Sequence, residues 1–84
     1  MTKLVYFAWV RERIGQPEED IALPASISTV ADLLGFLKQR GDNYAHALEQ
    51  ERFIRVALDK MHAEHDMPIA GASEIALFPP MTGG

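Results

Sequence analysis

Glu74-Ile75-Ala76-Leu77-Phe78-Pro79-Pro80-Met81-Thr82-Gly83-Gly84 sets the architecture of this chain. Ile75 and Leu77 alternate with Glu74, Ala76 and Phe78, the period of a strand with one face turned inward. Pro79 and Pro80 have no N–H to donate and hold φ near −65°, so the strand stops after Phe78. Four residues lie beyond Pro80, a reach of at most roughly 14 Å. Gly83 and Gly84 carry no Cβ, which lets backbone enter a narrow channel. A stiff exit, that reach and a thin end suit delivery of the terminal carboxylate into another protein's active site. A frayed tail that happens to be glycine is the competing reading, and on the tail alone both stand. Residues 1–78 therefore read as one domain, and 79–84 as an extended tail.

Working outward, the second decisive stretch is Lys3-Leu-Val-Tyr-Phe-Ala-Trp-Val10, rich in β-branched and aromatic residues and expected as one strand. Leu4, Tyr6, Ala8 and Val10 share a face. Lys3, Val5, Phe7 and Trp9 share the other, which Lys3 marks as nearer solvent. Arg11 to Pro17 reads as a turn with one helical turn closed by Gly15. Glu18 to Leu23 follows as a hairpin partner with Ile21 and Leu23 inward. Thr29-Val30-Ala31-Asp32 is a capping-box start, and Val30, Leu33, Leu34 and Leu37 continue at helical spacing to a stop at Gly41. Tyr44 to Gln50 reads as a shorter helix, Phe53 to Leu58 as a strand, and Lys60 to His62 as a short edge strand. The expected class is α+β: a mixed sheet of four to five strands, first and last strands parallel at its middle, covered on one face by the main helix. Phe7 and Phe78 then meet on the uncovered face with Phe53 and Ala57 beside them. Two strands supplying outward aromatics to one face point to a docking surface.

Composition narrows the functional classes. Eighty-four residues suffice for one small domain. The absence of cysteine removes disulfides, thiolate metal sites and a thiol nucleophile. Twelve acidic against eight basic residues, a net charge of −4, argue against nucleic acid or anionic membrane as the main partner and favour a basic groove. No apolar run is long enough to span a bilayer and no signal-peptide pattern opens the chain, so a cytoplasmic location is expected.

With that strand order and tail, the chain resembles the small, sulfur-carrying subunits of molybdopterin synthase, the MoaD family of the ubiquitin-like β-grasp superfamily. The resemblance is carried by Tyr6-Phe7-Ala8-Trp9-Val10-Arg11-Glu12, Thr29-Val30-Ala31-Asp32-Leu33, Ile54-Arg55-Val56-Ala57 and Ile75-Ala76-Leu77-Phe78 with the diproline and diglycine. It implies that an E1-like enzyme, using ATP and magnesium, adenylates the Gly84 carboxylate, which sulfur then converts to a thiocarboxylate. The tail of Pro80, Met81, Thr82 and Gly83 would thread into the large synthase subunit and give sulfur to a cyclic pyranopterin precursor. It further implies a heterotetramer and a chain that binds no cofactor and is not catalytic alone. Phe7, Phe78, Val5 and Ala76 would be the docking residues. Three positions depart from the family pattern: Asp59 where Asn is common, Ala72-Ser73-Glu74 where Gly-Asp-Glu is common, and Met81 for Val. A sulfur carrier for thiamine or another product, a ubiquitin-like modifier, and an interaction module whose tail is never activated are the alternatives.

The remaining constellations carry less. His62 and His65 sit on a strand-turn segment that does not hold both imidazoles on one face, so they read as solvated histidines. Glu18-Glu19-Asp20 reads as a solvated edge. Arg11 and Arg13 read as surface residues or as partners for acidic groups on another protein.

Overall fold

A computed structural model describes residues 1–80. Five strands form one sheet in the order β2-β1-β5-β3-β4: β1 (Thr2–Tyr6), β2 (Glu18–Ile21), β3 (Arg55–Leu58), β4 (Met61–Ala63) and β5 (Glu74–Phe78). β1 and β5 run parallel at the centre, with Val5 opposite Ala76, and every other pair is antiparallel. The β-grasp arrangement expected from the element order is therefore present.

Three helices, α1 (Ala8–Ile14), α2 (Val30–Lys38) and α3 (Asp42–Ala47), pack with one face of the sheet into a single core. Leu4, Tyr6, Val56, Ile75 and Leu77 from the strands meet Val10, Val30, Leu33, Leu34, Leu37 and Leu48, all essentially inaccessible to water. Burying side chains of this size contributes about 1.5–3 kcal/mol each before entropy is counted. The start of α2 follows from local chemistry: Thr29 Oγ1 accepts from the Asp32 N–H (3.2 Å) and Asp32 Oδ2 from the Thr29 N–H (3.1 Å). These bonds satisfy N–H groups that a helix start leaves open, and the Thr29 bond is the main reason the Asp32 carboxyl lies below its ordinary range.

The largest departure from expectation is at the end of β1. The strand stops at Tyr6 rather than Val10; the last sheet bond is from the Phe7 N–H to the Leu77 carbonyl (3.1 Å). Ala8 takes a left-handed φ of 51°, and the Phe7 carbonyl then accepts from the N–H groups of Val10 and Arg11. That reversal places Trp9 and Val10 on α1, with Val10 and Ile14 buried one helical turn apart. Gly15 closes α1 at φ 97°, the stop expected from its lack of Cβ. Smaller corrections follow the same logic of tertiary contact. β2 ends at Ile21 instead of Leu23 and α2 at Lys38, capped by Gln39 instead of Gly41. α3 occupies residues 42–47, and Glu51–Phe53 is a single 3-10 turn before β3.

Glu19 is not part of a solvated edge. Its Oε2 accepts from the hydroxyls of Tyr6 (2.7 Å) and Tyr44 (2.6 Å), and its Oε1 from Arg40 (3.3 Å). The cluster ties β1, β2, α3 and the segment after α2 together. Burial foremost, then the Glu19 carboxylate, pushes both tyrosine hydroxyls above their ordinary range.

Asp59 and Lys60 both have positive φ (48° and 73°), the geometry of a tight two-residue hairpin turn between β3 and β4. The Asp59 carboxylate also accepts from the N–H groups of Ser73 (3.0 Å) and Glu74 (2.9 Å), so it clamps the entry to β5. An Asn carbonyl can accept in the same way, which accounts for an acidic residue at a position where asparagine is common.

Candidate functional site

The helices cover one face of the sheet, so the alternate residues of each strand form an open face. Across its middle run Glu18, Val5, Ala76, Ala57 and His62, by the register of neighbouring strands. At the end where β5 finishes, Arg55 lies opposite Phe78, and Phe7 continues β1 beside it. At the other end stand Asp20, Lys3 and Glu74. Val5, Ala76, Ala57 and Phe78 are half-buried and Phe7 is 47% exposed. The small side chains of Ala57 and Ala76 make a shallow apolar floor with a phenylalanine rim. All four expected docking residues, Val5, Phe7, Ala76 and Phe78, lie on this one face.

Pro80 stands where that rim meets two grooves. One, of ≈ 320 Å³, is lined by Arg52, Phe53, Ile54, Arg55, His62, Ala63, Glu64 and His65 together with Pro80. The other, of ≈ 310 Å³, is lined by Trp9, Arg13, Ala47, Glu49, Gln50, Phe53 and Pro80. Phe53, 45% exposed, is shared by both. Arg13 lies over the Trp9 ring at 4.5 Å and Arg52 over the Phe53 ring at 4.8 Å, so both guanidiniums are held at the groove edges by stacking. Met81, Thr82, Gly83 and Gly84 lie outside the described residues.

Sequence reasoning missed Trp9, Arg13 and Arg52 as neighbours of the tail. Trp9 was assigned to the strand and hence to the sheet face; its helical placement, one turn from Arg13, puts it beside the exit. The sequence signal for the longer helix is the i, i+4 spacing of Trp9 with Arg13 and of Val10 with Ile14, which extends the single turn expected before Gly15 back to Ala8. The two histidines diverge: His65 Nε2 bonds the Ile54 carbonyl at 2.8 Å, whereas His62 faces Glu64 at 3.7 Å. Among the described residues no group of three or more His, Cys, Asp or Glu is placed to hold a metal, and no helix is long and apolar enough to cross a membrane.

The sequence and the fold both have counterparts in known proteins. The ThiS family profile matches residues 4–84. The molybdopterin synthase sulfur carrier subunit of Escherichia coli is 34% identical over 84 residues, all of both chains. That of Haemophilus influenzae is also 34% identical over the full length of both. That of Dictyostelium discoideum is 33% identical, covering 98% of this chain and 94% of its own. Among solved structures, small archaeal modifier protein 1 of Haloferax volcanii superposes with a TM-score of 0.71 at 25% identity, covering 95% of this chain and 97% of that one. A putative molybdopterin converting factor subunit 1 of Pyrococcus furiosus gives a TM-score of 0.73 at 24% identity, over 95% and 97% of the two chains, a likeness of fold. The chain belongs to the ThiS family of ubiquitin-like proteins, together with the molybdopterin synthase sulfur carrier subunits it matches from end to end.

Proposed function

We propose that this chain carries sulfur as a thiocarboxylate on Gly84 and donates it within molybdopterin synthase. The observation that supports this most is the open apolar face of Val5, Phe7, Ala76 and Phe78 running directly into Pro80, in a chain alignable end to end with sulfur carrier subunits. A carboxylate is a poor acyl donor. An E1-like enzyme first joins a Gly84 oxygen to the α-phosphorus of ATP, with magnesium, and pyrophosphate leaves. A sulfur nucleophile then attacks the acyl carbon and AMP departs, leaving the thiocarboxylate. The first step needs in-line approach of a Gly84 oxygen to phosphorus and the second needs close approach of sulfur to the acyl carbon, and side chains at Gly83 and Gly84 would obstruct both.

In the large subunit, the thiocarboxylate sulfur attacks a carbon of the pyranopterin precursor, and the C–O bond at that carbon breaks as its oxygen substituent leaves with the electron pair. Hydrolysis of the acyl–sulfur bond leaves sulfur on the product and returns the Gly84 carboxylate. The chain supplies the nucleophile and the handle, and the bases and substrate pocket belong to its partners. It binds no cofactor of its own, works in the cytoplasm and assembles with large subunits as a heterotetramer.

The test is intact-mass analysis after incubation with the activating enzyme, ATP and a sulfur source, followed by transfer to precursor in the presence of the large subunit. The expected result is replacement of one oxygen by sulfur, then dithiolene formation; a terminal mass that never changes refutes the carrier reading. Deleting Gly84 should abolish both steps while fold and docking persist. The likeness to an archaeal modifier favours one second reading, in which the activated tail is passed to a lysine amine. Conjugates appearing in place of dithiolene would select it.

A further inference from the structure

The charge around the tail exit has the opposite sign to the molecule as a whole. The chain carries 12 acidic and 8 basic residues, yet Arg13, Arg52 and Arg55 line the two grooves that meet at Pro80, with His62 and His65 beside them. The carboxylates that share those grooves, Glu49 and Glu64, face His46 (3.8 Å) and His62 (3.7 Å). Elsewhere three of the five other basic groups are matched, Lys3 with Glu18 (3.1 Å), Lys38 with Glu51 (3.7 Å) and Arg40 with Glu19 (3.3 Å), while Arg11 and Lys60 lie outside both grooves. Among the described residues Arg13, Arg52 and Arg55 have no carboxylate at ion-pair distance. Two of them are fixed over aromatic rings instead, which holds the charge at the rim and keeps it from folding away. The far end of the same open face is acidic, with Asp20 and Glu74 on either side of Lys3, whose ammonium is paired with Glu18. The four residue steps of β5 from Glu74 to Phe78 separate the two poles by about 13 Å. That exceeds the Debye length of about 8 Å at physiological ionic strength, so a partner senses two poles and not an average.

We propose that Arg13, Arg52 and Arg55 form a cationic collar that docks on an acidic rim around the large subunit's tail channel. Resting on the function proposed above, the collar deepens it by stating the chemistry of the surface that receives the tail. The charge pattern favours the orientation that aims residues after Pro80 into the channel and raises the encounter rate.

The experiment measures association and dissociation rates of the full chain with the large subunit, at low and high salt. Arg52→Gln/Arg55→Gln is compared with Lys38→Gln/Lys60→Gln, which makes the same change in net charge away from the exit. The arginine pair should lower the low-salt association rate about tenfold. Its rate should approach that of the wild type at high salt, and its dissociation rate should change less. The lysine pair should stay within about twofold of the wild type. Circular dichroism confirms that both variants are folded. An arginine variant that associates within twofold of the wild type, or faster, overturns the collar, as does an equal loss in the lysine variant. A wild-type chain that does not bind the large subunit overturns the proposed function, and the collar with it.

Discussion

Replacing Phe7 with alanine separates the proposed docking role of the open face from its part in the fold. Phe7 contributes to the fold chiefly through its backbone: its N–H donates to the Leu77 carbonyl at 3.1 Å, and its carbonyl accepts from Val10 and Arg11 at 3.1 and 3.2 Å. Its φ of −126° and ψ of 155° are extended values that alanine adopts freely. The ring is 47% exposed. Phenylalanine buries 150–250 Å² when covered, so about 70–120 Å² remains for a partner to cover. At about 25 cal/mol per Å² that is about 2–3 kcal/mol, and with the Cβ retained about 2 kcal/mol is lost. Affinity for the large subunit should therefore fall about 30-fold, carried by faster dissociation. The melting temperature should move by only a few degrees. Calorimetric titration of the large subunit with each folded variant measures the difference. An affinity within twofold of the wild type, in a variant with unchanged circular dichroism, refutes the assignment of this face as the docking surface.

Two further expectations concern the fold. A Cβ at Gly35, in the middle of α2, would meet no heavy atom within 4 Å, and its φ lies outside the left-handed region. Gly35→Ala should therefore stabilise the chain by about 0.5–1 kcal/mol, raising the melting temperature by about 2–8 °C; a lower melting temperature contradicts this. At high pH, the buried Tyr6 hydroxyl keeps its proton in the folded state after the unfolded chain has lost it, because burial and then Glu19 raise its pKa above the ordinary 10.0. Stability from this group is complete below pH 10 and declines above it, by up to about 1.4 kcal/mol per pH unit. Tyr6→Phe should flatten that alkaline limb in denaturation curves while costing about 1 kcal/mol at neutral pH; an unaltered limb refutes the assignment.

Where the governing interactions are local, the sequence was legible. Glu74–Phe78 is the final strand as expected, because alternation and the following prolines act within a few residues. The Thr29–Asp32 capping box is likewise complete within four residues. The chain from Ala8 to Ile14 was not legible in that way. Tyr6-Phe7-Ala8-Trp9-Val10 has the composition of a strand, and nothing in an alanine announces a φ of 51°. The helix is selected by burial of Val10 and Ile14 against the core, a tertiary gain that overrides β-propensity. Glu19 was misread for the same reason: its partners Tyr6, Arg40 and Tyr44 lie 13 to 25 positions away. Val5, Phe7, Ala76 and Phe78 still share one open face because all four precede or avoid the break. Trp9 left that face for α1, and Ala8, expected inward, is exposed.

On the proposed reading one face must serve two partners in turn, the enzyme that activates the tail and the subunit that receives sulfur. A single open face at the tail exit cannot be covered by both at once, so each cycle requires complete dissociation from the first before the second can bind. That requirement limits how apolar the face can be. Its floor is built from Ala57, Ala76 and Val5, which offer little area, and the larger contacts are confined to Phe7, Phe53 and Phe78 at the tail end. A few aromatic anchors give specificity and a modest, reversible affinity. Cationic groups at the exit quicken recapture without deepening the bound state, since charge acts mainly on the association rate. Small residues at the centre and arginines at the exit are thus two answers to the same constraint: a carrier has to arrive quickly, point its tail one way, and leave.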